Sequence, residues 1–129
     1  MAYGSVLTDV VQSSVTGTPP QFNDGAGTQV GTLCRVWVNF SGVSSTTIRA
    51  SFNVSSVTYN STGNYTVNFT NALTDANFAT TAIGQNNSGT SLGTIPNVIT
   101  RTTSSVRITY INVAEAFRDG LEQAVAVFR

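Results

Sequence analysis

The sequence contains no lysine and no histidine, a single cysteine, and charged residues at only 9% of its 129 positions. Each absence removes a class of chemistry. Without imidazole or an ε-amine there is no general base of the usual kind, no Schiff-base nucleophile and no Ser-His-Asp or Cys-His constellation. The lone Cys34 cannot form an intrachain disulfide, and a zinc site needs three or four ligands of types that this chain lacks. Cys34 reads as a small buried hydrophobe. No metal site and no cofactor site is expected, and catalysis is not expected either.

Charge of either sign is equally sparse. Six arginines (Arg35, Arg49, Arg101, Arg107, Arg118 and Arg129) balance six acids, for a net charge of zero. They form no basic run of the sort that displaces counterions from a phosphate backbone, so nucleic acid is not an expected partner. The carboxylates Asp9, Asp24, Asp75, Glu115, Asp119 and Glu122 are dispersed and match no calcium-loop spacing. No stretch approaches the roughly 18 apolar residues of a membrane span, and the N-terminus has neither the basic nor the apolar region of a signal peptide, so neither membrane insertion nor export is expected. Asn-x-Ser/Thr triplets are read as accidents of composition.

What the sequence has instead is uncharged polarity: Ser, Thr and Asn fill 46 of the 129 positions. Against that background the apolar residues alternate. Residues 1–33 read as an extended N-terminal arm followed by turns, because Pro19 and Pro20 exclude a central strand and Asp24-Gly25 and Gly27 suit tight turns. From Cys34 the period becomes two: Cys34, Val36, Val38 and Phe40 fall on one face, with Arg35, Trp37 and Asn39 on the other. Ile48, Ala50, Phe52 and Val54 alternate next, and the changed parity at Val57 and Tyr59 implies a bulge or turn at Ser55-Ser56. A hairpin follows, with Tyr65, Val67 and Phe69 alternating after a connector at Asn60–Gly63.

Further strands are expected around Phe78, at Val106, Ile108 and Tyr110, and at the apolar C-terminus, which should lie inside a sheet. The tract from Gly84 to Thr94 reads as a polar surface loop. Only residues 112–123 have helix-compatible chemistry, and there a short helix and an irregular loop are equally supported. The sum is an all-β fold: an antiparallel, jelly-roll-like β-sandwich of about seven strands over residues 34–129, with the arm at 1–33 and at most one short helix near the C-terminus.

Several segments together resemble a C-terminal module of tail-fibre and related virion surface proteins of marine, chiefly cyanobacterial, bacteriophages. They are Trp37–Phe40, the Ile48–Val54 strand, the Asn60–Gly63 turn, the Tyr65–Phe69 strand, Asp75-Ala76-Asn77-Phe78 and the closing Ala126-Val127-Phe128-Arg129, with the preceding arm. Residues 112–123 depart from the pattern. The resemblance implies a phage virion structural protein, tail-fibre-like, located at the tail and made in the host cytoplasm. It implies a homotrimer with other virion proteins as partners, and attachment to a host surface glycan or protein. The alternative is a capsid decoration (knob) protein on the phage head that touches no receptor.

Trp37 is the most informative residue, since it stands opposite the apolar row of its own strand. It is open to three readings: a second buried face, a subunit interface, or an aromatic platform for sugar. Arg35, Tyr59, Tyr65 and Phe22 join it as candidate interface residues, with the tyrosines expected to divide between core and interface. Candidate receptor contacts lie chiefly in the polar loop Gly84 to Gly93, at Gln85, Asn86, Asn87, Ser88 and Thr90, with the loop Gly42 to Thr47 as a second candidate, because polar loops on a rigid scaffold commonly carry recognition.

Overall fold

The computed structural model describes residues 8, 10–15, 19–43, 45–86 and 94–129. The chain divides into two compact units, residues 1–33 and 34–129. The first holds a two-stranded antiparallel ribbon, β1 (Phe22–Asn23) with β2 (Gln29–Gly31). Asp24 makes its turn: Oδ1 accepts hydrogen bonds from the amides of Ala26 and Thr28, both at 2.9 Å, and Gly27 takes a φ of 85° that a side chain would resist.

The second unit is a sandwich of two four-stranded antiparallel sheets. In chain order its strands are β3 (Cys34–Ser41), β4 (Thr47–Phe52), β5 (Val54–Ser61), β6 (Asn64–Phe69), β7 (Ala79–Asn86), β8 (Ile95–Thr102), β9 (Ser105–Ile111) and β10 (Gly120–Phe128). One sheet has the order β4-β3-β10-β7 and the other β5-β6-β9-β8. The C-terminal strand is therefore internal, hydrogen-bonded to β3 and β7, as its apolar sequence requires.

Alternation builds the core. Val36, Val38 and Phe40 of β3 and Val125 and Val127 of β10 face Tyr65, Val67 and Phe69 of β6 and Val106, Ile108 and Tyr110 of β9. Each such side chain contributes about 1.5–3 kcal/mol by leaving water. The rings of Phe40, Tyr65 and Tyr110 meet edge to face, with Tyr65 in the middle.

Four local expectations change. The strand expected around Phe78 begins one residue later, at Ala79, and Phe78 itself is a buried residue of the preceding connection, its ring against Phe69. Strand β8 carries Pro96, which has no amide donor and obscures the alternation; the strand tolerates it because β8 is an edge strand. With β8 the sandwich has eight strands. The loop expected from Gly84 starts later, because Gly84, Gln85 and Asn86 still pair with β10. Of the two readings open for residues 112–123 the irregular loop holds over 112–119, where Asn112 Oδ1 accepts from the amides of Ala114 and Ala116. Among the described residues there is no helix.

The fourth change concerns β4. A register shift opposite Asn39 and Phe40 pairs Ile48 with Phe40 but Phe52 with Trp37. Ile48 packs on the core, while Phe52 turns outward and is 55% exposed. The break expected before Val57 is present, with Asn53 at a φ of 55° and a bulge between Val54 and Ser56.

The pairing sorts the connections by end. Cys34 lies beside Phe128, whereas Gly120 lies beside Asn86, and Ser41 leads to Gly42, whose amide donates to the Gly120 carbonyl. Gly42, Val43, Ser45 and Thr46, the Thr62-Gly63 turn, residues 112–119 and the ends of the β7–β8 connection thus gather at the end of the sandwich away from Cys34 and Arg129.

Candidate functional site

Two concave surfaces stand out. The first is the outside of the β4-β3-β10-β7 sheet. In β10, Ala124 and Ala126 alternate with the core valines, so the centre of this outer face is floored by methyl groups. Trp37 on β3 stands beside Ala126 on one side, and Thr81 and Ile83 on β7 border the two alanines on the other. Small residues between large ones leave a shallow groove of about 490 Å³. Trp37 is 40% exposed, Phe52 opposite it 55% and Ile83 69%.

The groove's polar boundary lies toward Glu122. Asn39 Nδ2 donates to Glu122 Oε1 at 2.9 Å, Arg49 donates to the Leu121 carbonyl at 2.6 Å, and Arg49 and Glu122 approach to 3.9 Å. The two charges of this rim cancel. What the face offers a partner is an apolar strip with a neutral border, a surface suited to protein contact.

The second surface is a pocket of about 420 Å³ at the loop end, lined by Gly42, Ser45, Thr46, Tyr59 and Asp119. Asp119 precedes β10 and reaches across to the other sheet. Its Oδ1 accepts from the Gly63 amide at 2.7 Å and the Tyr65 hydroxyl at 2.5 Å. Its Oδ2 meets only the Tyr59 hydroxyl, at 3.4 Å, and that hydroxyl stands equally far from Thr62 Oγ1. Gly63 has a φ of 63°, and a β-carbon there would strike the Tyr110 carbonyl and the Arg118 amide. Gly42 is also without room for a side chain, because the Tyr65 hydroxyl and Gln123 Oε1 lie behind it.

Burial raises the Tyr65 hydroxyl well above the ordinary tyrosine value of 10.0, and the hydrogen bond to Asp119 and that carboxylate's charge add to the effect. Burial alone raises Tyr110. At the other end of the sandwich Arg129 holds the Asp75 carboxyl below its ordinary value, through a hydrogen bond of 2.6 Å. Among the described residues no group of three or more His, Cys, Asp or Glu is placed to hold a metal ion.

The expected site residues distribute unevenly over these surfaces. Trp37 borders the groove, and Arg35, half-buried, precedes it by two residues on the same strand. Tyr59, 47% exposed, lines the pocket. Tyr65 is not available to a partner: its ring is fully buried, since its parity matches Val67 and Phe69 and its hydroxyl is taken by Asp119. Phe22 lies in β1 of the first unit and is exposed. Gln85 is exposed near the end of β7, and Asn86 is the last residue of that strand. Asn87, Ser88 and Thr90 lie outside the described residues.

Phe52, Ile83 and Asp119 were not singled out from sequence. Phe52 follows the alternation of Ile48 and is displaced by the bulge, and Asp119 is one acid among dispersed acids until the fold brings Gly63 and Tyr65 to it.

No protein-family model and no curated protein matches the chain. Among solved structures, the chain is similar to the phiAB6 tailspike in complex with three-repeated oligosaccharides of Acinetobacter baumannii surface polysaccharide, at 17% identity and a TM-score of 0.46. That alignment covers 95% of this chain and 30% of the tailspike chain.

Proposed function

We propose that the chain is a bacteriophage virion structural protein, tail-fibre-like, which works by assembly and host-surface attachment rather than by catalysis. The observation that carries this reading is the groove between Trp37 and Ile83: an exposed apolar strip, floored by alanines and rimmed by a cancelled charge pair, on a chain with little charge elsewhere. Such a face is costly in water and is relieved by a protein partner. A homotrimer is the proposed assembly, with the groove at the subunit contact. The sequence resemblance of residues 34–70 to phage fibre modules supports the virion setting.

The loop end supports the attachment part of the reading. Polar connections gather there, away from the end where Cys34 enters the sandwich, and a rigid double sheet carries them. Tail placement and a capsid decoration role share these surfaces and differ in location. Labelled detection on purified particles, combined with quantitative protein stoichiometry, tests the reading: copies confined to the tail support it. A copy number matching the head lattice replaces it with the decoration role, and absence from particles removes both.

A further inference from the structure

We infer that the pocket between Tyr59 and Thr46 is a binding site for a neutral saccharide ring, with Asp119 as its hydrogen-bond acceptor. The inference deepens the attachment reading by naming a ligand class, and it rests on that reading for the ligand's source. It places recognition on Gly42, Ser45, Thr46, Tyr59 and Asp119, rather than on the polar tract after Gln85.

The pocket's groups define the ligand. Asp119 supplies a carboxylate at the pocket's edge. Ser45 and Tyr59 add hydroxyls, and the Tyr59 hydroxyl makes only long contacts of 3.4 Å. Asp119 uses Oδ1 on Gly63 and Tyr65, which fixes the carboxylate in place and leaves Oδ2 with acceptor capacity toward the pocket. Hydroxyls both donate and accept, whereas an ionised carboxylate only accepts. A ligand that meets this set must present groups that do both, side by side, as vicinal sugar hydroxyls do.

The apolar part of the pocket agrees. Tyr59 is held edge to face against Tyr65, with ring centroids 5.7 Å apart, so one wall is a fixed aromatic ring that remains about half exposed. A sugar's C–H face can lie on such a surface while its hydroxyls reach the polar side.

Other ligand classes fit poorly. No cationic side chain lines the pocket, and Asp119 would repel a phosphate, a sulfate or an acidic sugar. A calcium ion takes about six to eight oxygen ligands with several carboxylates among them, and one carboxylate is present. The site should therefore discriminate neutral sugars from uronic acids.

The test uses the full chain and its amide NMR spectrum, titrated with the methyl glycosides of glucose, galactose and mannose, and with methyl glucuronide as the anionic control. The expected result is saturable shifts at Gly42, Ser45, Thr46 and Gly63 with at least one neutral glycoside, and none with the glucuronide. Tyr59→Ala should weaken that binding by about tenfold or more, and Tyr59→Phe should retain most of it. If Tyr59→Ala does not fold, Ser45→Ala, which removes an exposed hydroxyl of the lining, should give the weakening instead. The inference is overturned if no neutral glycoside moves these amides, if the glucuronide binds as well as the glucoside, or if folded variants bind undiminished. Failure of the attachment reading would show separately, as a chain absent from purified particles, and would leave the titration's outcome standing.

Discussion

The Tyr65 hydroxyl donates to Asp119 Oδ1 at 2.5 Å, joining positions 54 residues apart and tying the loop before β10 to the opposite sheet. The same oxygen accepts from the Gly63 amide. Asp119→Ala leaves both donors without their acceptor, and each buried orphan costs about 1–3 kcal/mol, so a loss of about 2–4 kcal/mol is expected in urea unfolding. Tyr65→Phe removes one bond and keeps the ring, and should cost only about 0.5–1.5 kcal/mol. A larger effect from Tyr65→Phe than from Asp119→Ala would contradict this account of the tie.

Alkaline pH should unfold the protein through its buried phenols. Tyr65 and Tyr110 are both raised above 10.0 in the folded state. Between the unfolded and folded values the native state keeps protons that the unfolded chain has lost, so stability falls as pH rises. Their contribution is fully present below about pH 10 and is lost above it. Tyrosinate absorbance should show these two ionising together with loss of structure, and a Tyr65→Phe, Tyr110→Phe double variant should flatten the alkaline limb of the stability profile.

Gln123 offers a substitution expected to stabilise the fold. It is fully buried at an inward-facing position of β10, where its amide stands near the Tyr65 hydroxyl but makes no full hydrogen bond among the described residues. Gln123→Met keeps the length and removes the unpaired polar atoms, and should raise unfolding stability by about 1–2 kcal/mol. Phe40→Ala, in the same core, should lower it by about 3–5 kcal/mol. A stability loss on Gln123→Met, measured by chemical denaturation, would show that the amide is satisfied in solution.

Substitutions in the groove should separate assembly from folding. Trp37→Ala and Ile83→Ser remove side chains that are 40% and 69% exposed. Monomer unfolding should change by about 1 kcal/mol or less, while sedimentation velocity should show the proposed oligomer shifting toward monomer. Unchanged oligomer size in the double variant would remove the groove from the assembly surface.

Much of the sandwich was legible because alternation is a local signal. The parity of Val36, Val38 and Phe40, and of Tyr65, Val67 and Phe69, fixes which face is buried once a sheet forms. The failures have equally local causes. A bulge reverses parity at Phe52 without a composition marker, and Pro96 argues against a strand unless that strand is known to be at an edge. The candidate surfaces were less legible. Trp37 announced itself as an aromatic opposite the apolar row of its strand, and Tyr59 could not be told apart from Tyr65 as core or interface, while Ala124 and Ala126 are unremarkable residues whose importance is that they are small beside Trp37 and Ile83.

Residue order alone specifies an all-β protein with little charge, no imidazole or lysine-amine chemistry and a polar surface of Ser, Thr and Asn. Composition and a period of two depend only on residue identity and on the geometry of a single strand. It took the folded chain to put Phe52 on the surface, to give β10 an alanine floor between aliphatic and aromatic walls, and to bring Asp119 to Gly63, Tyr59 and Tyr65. Those are consequences of register and strand order, set by which strands pair across tens of residues, and no local pattern records that pairing.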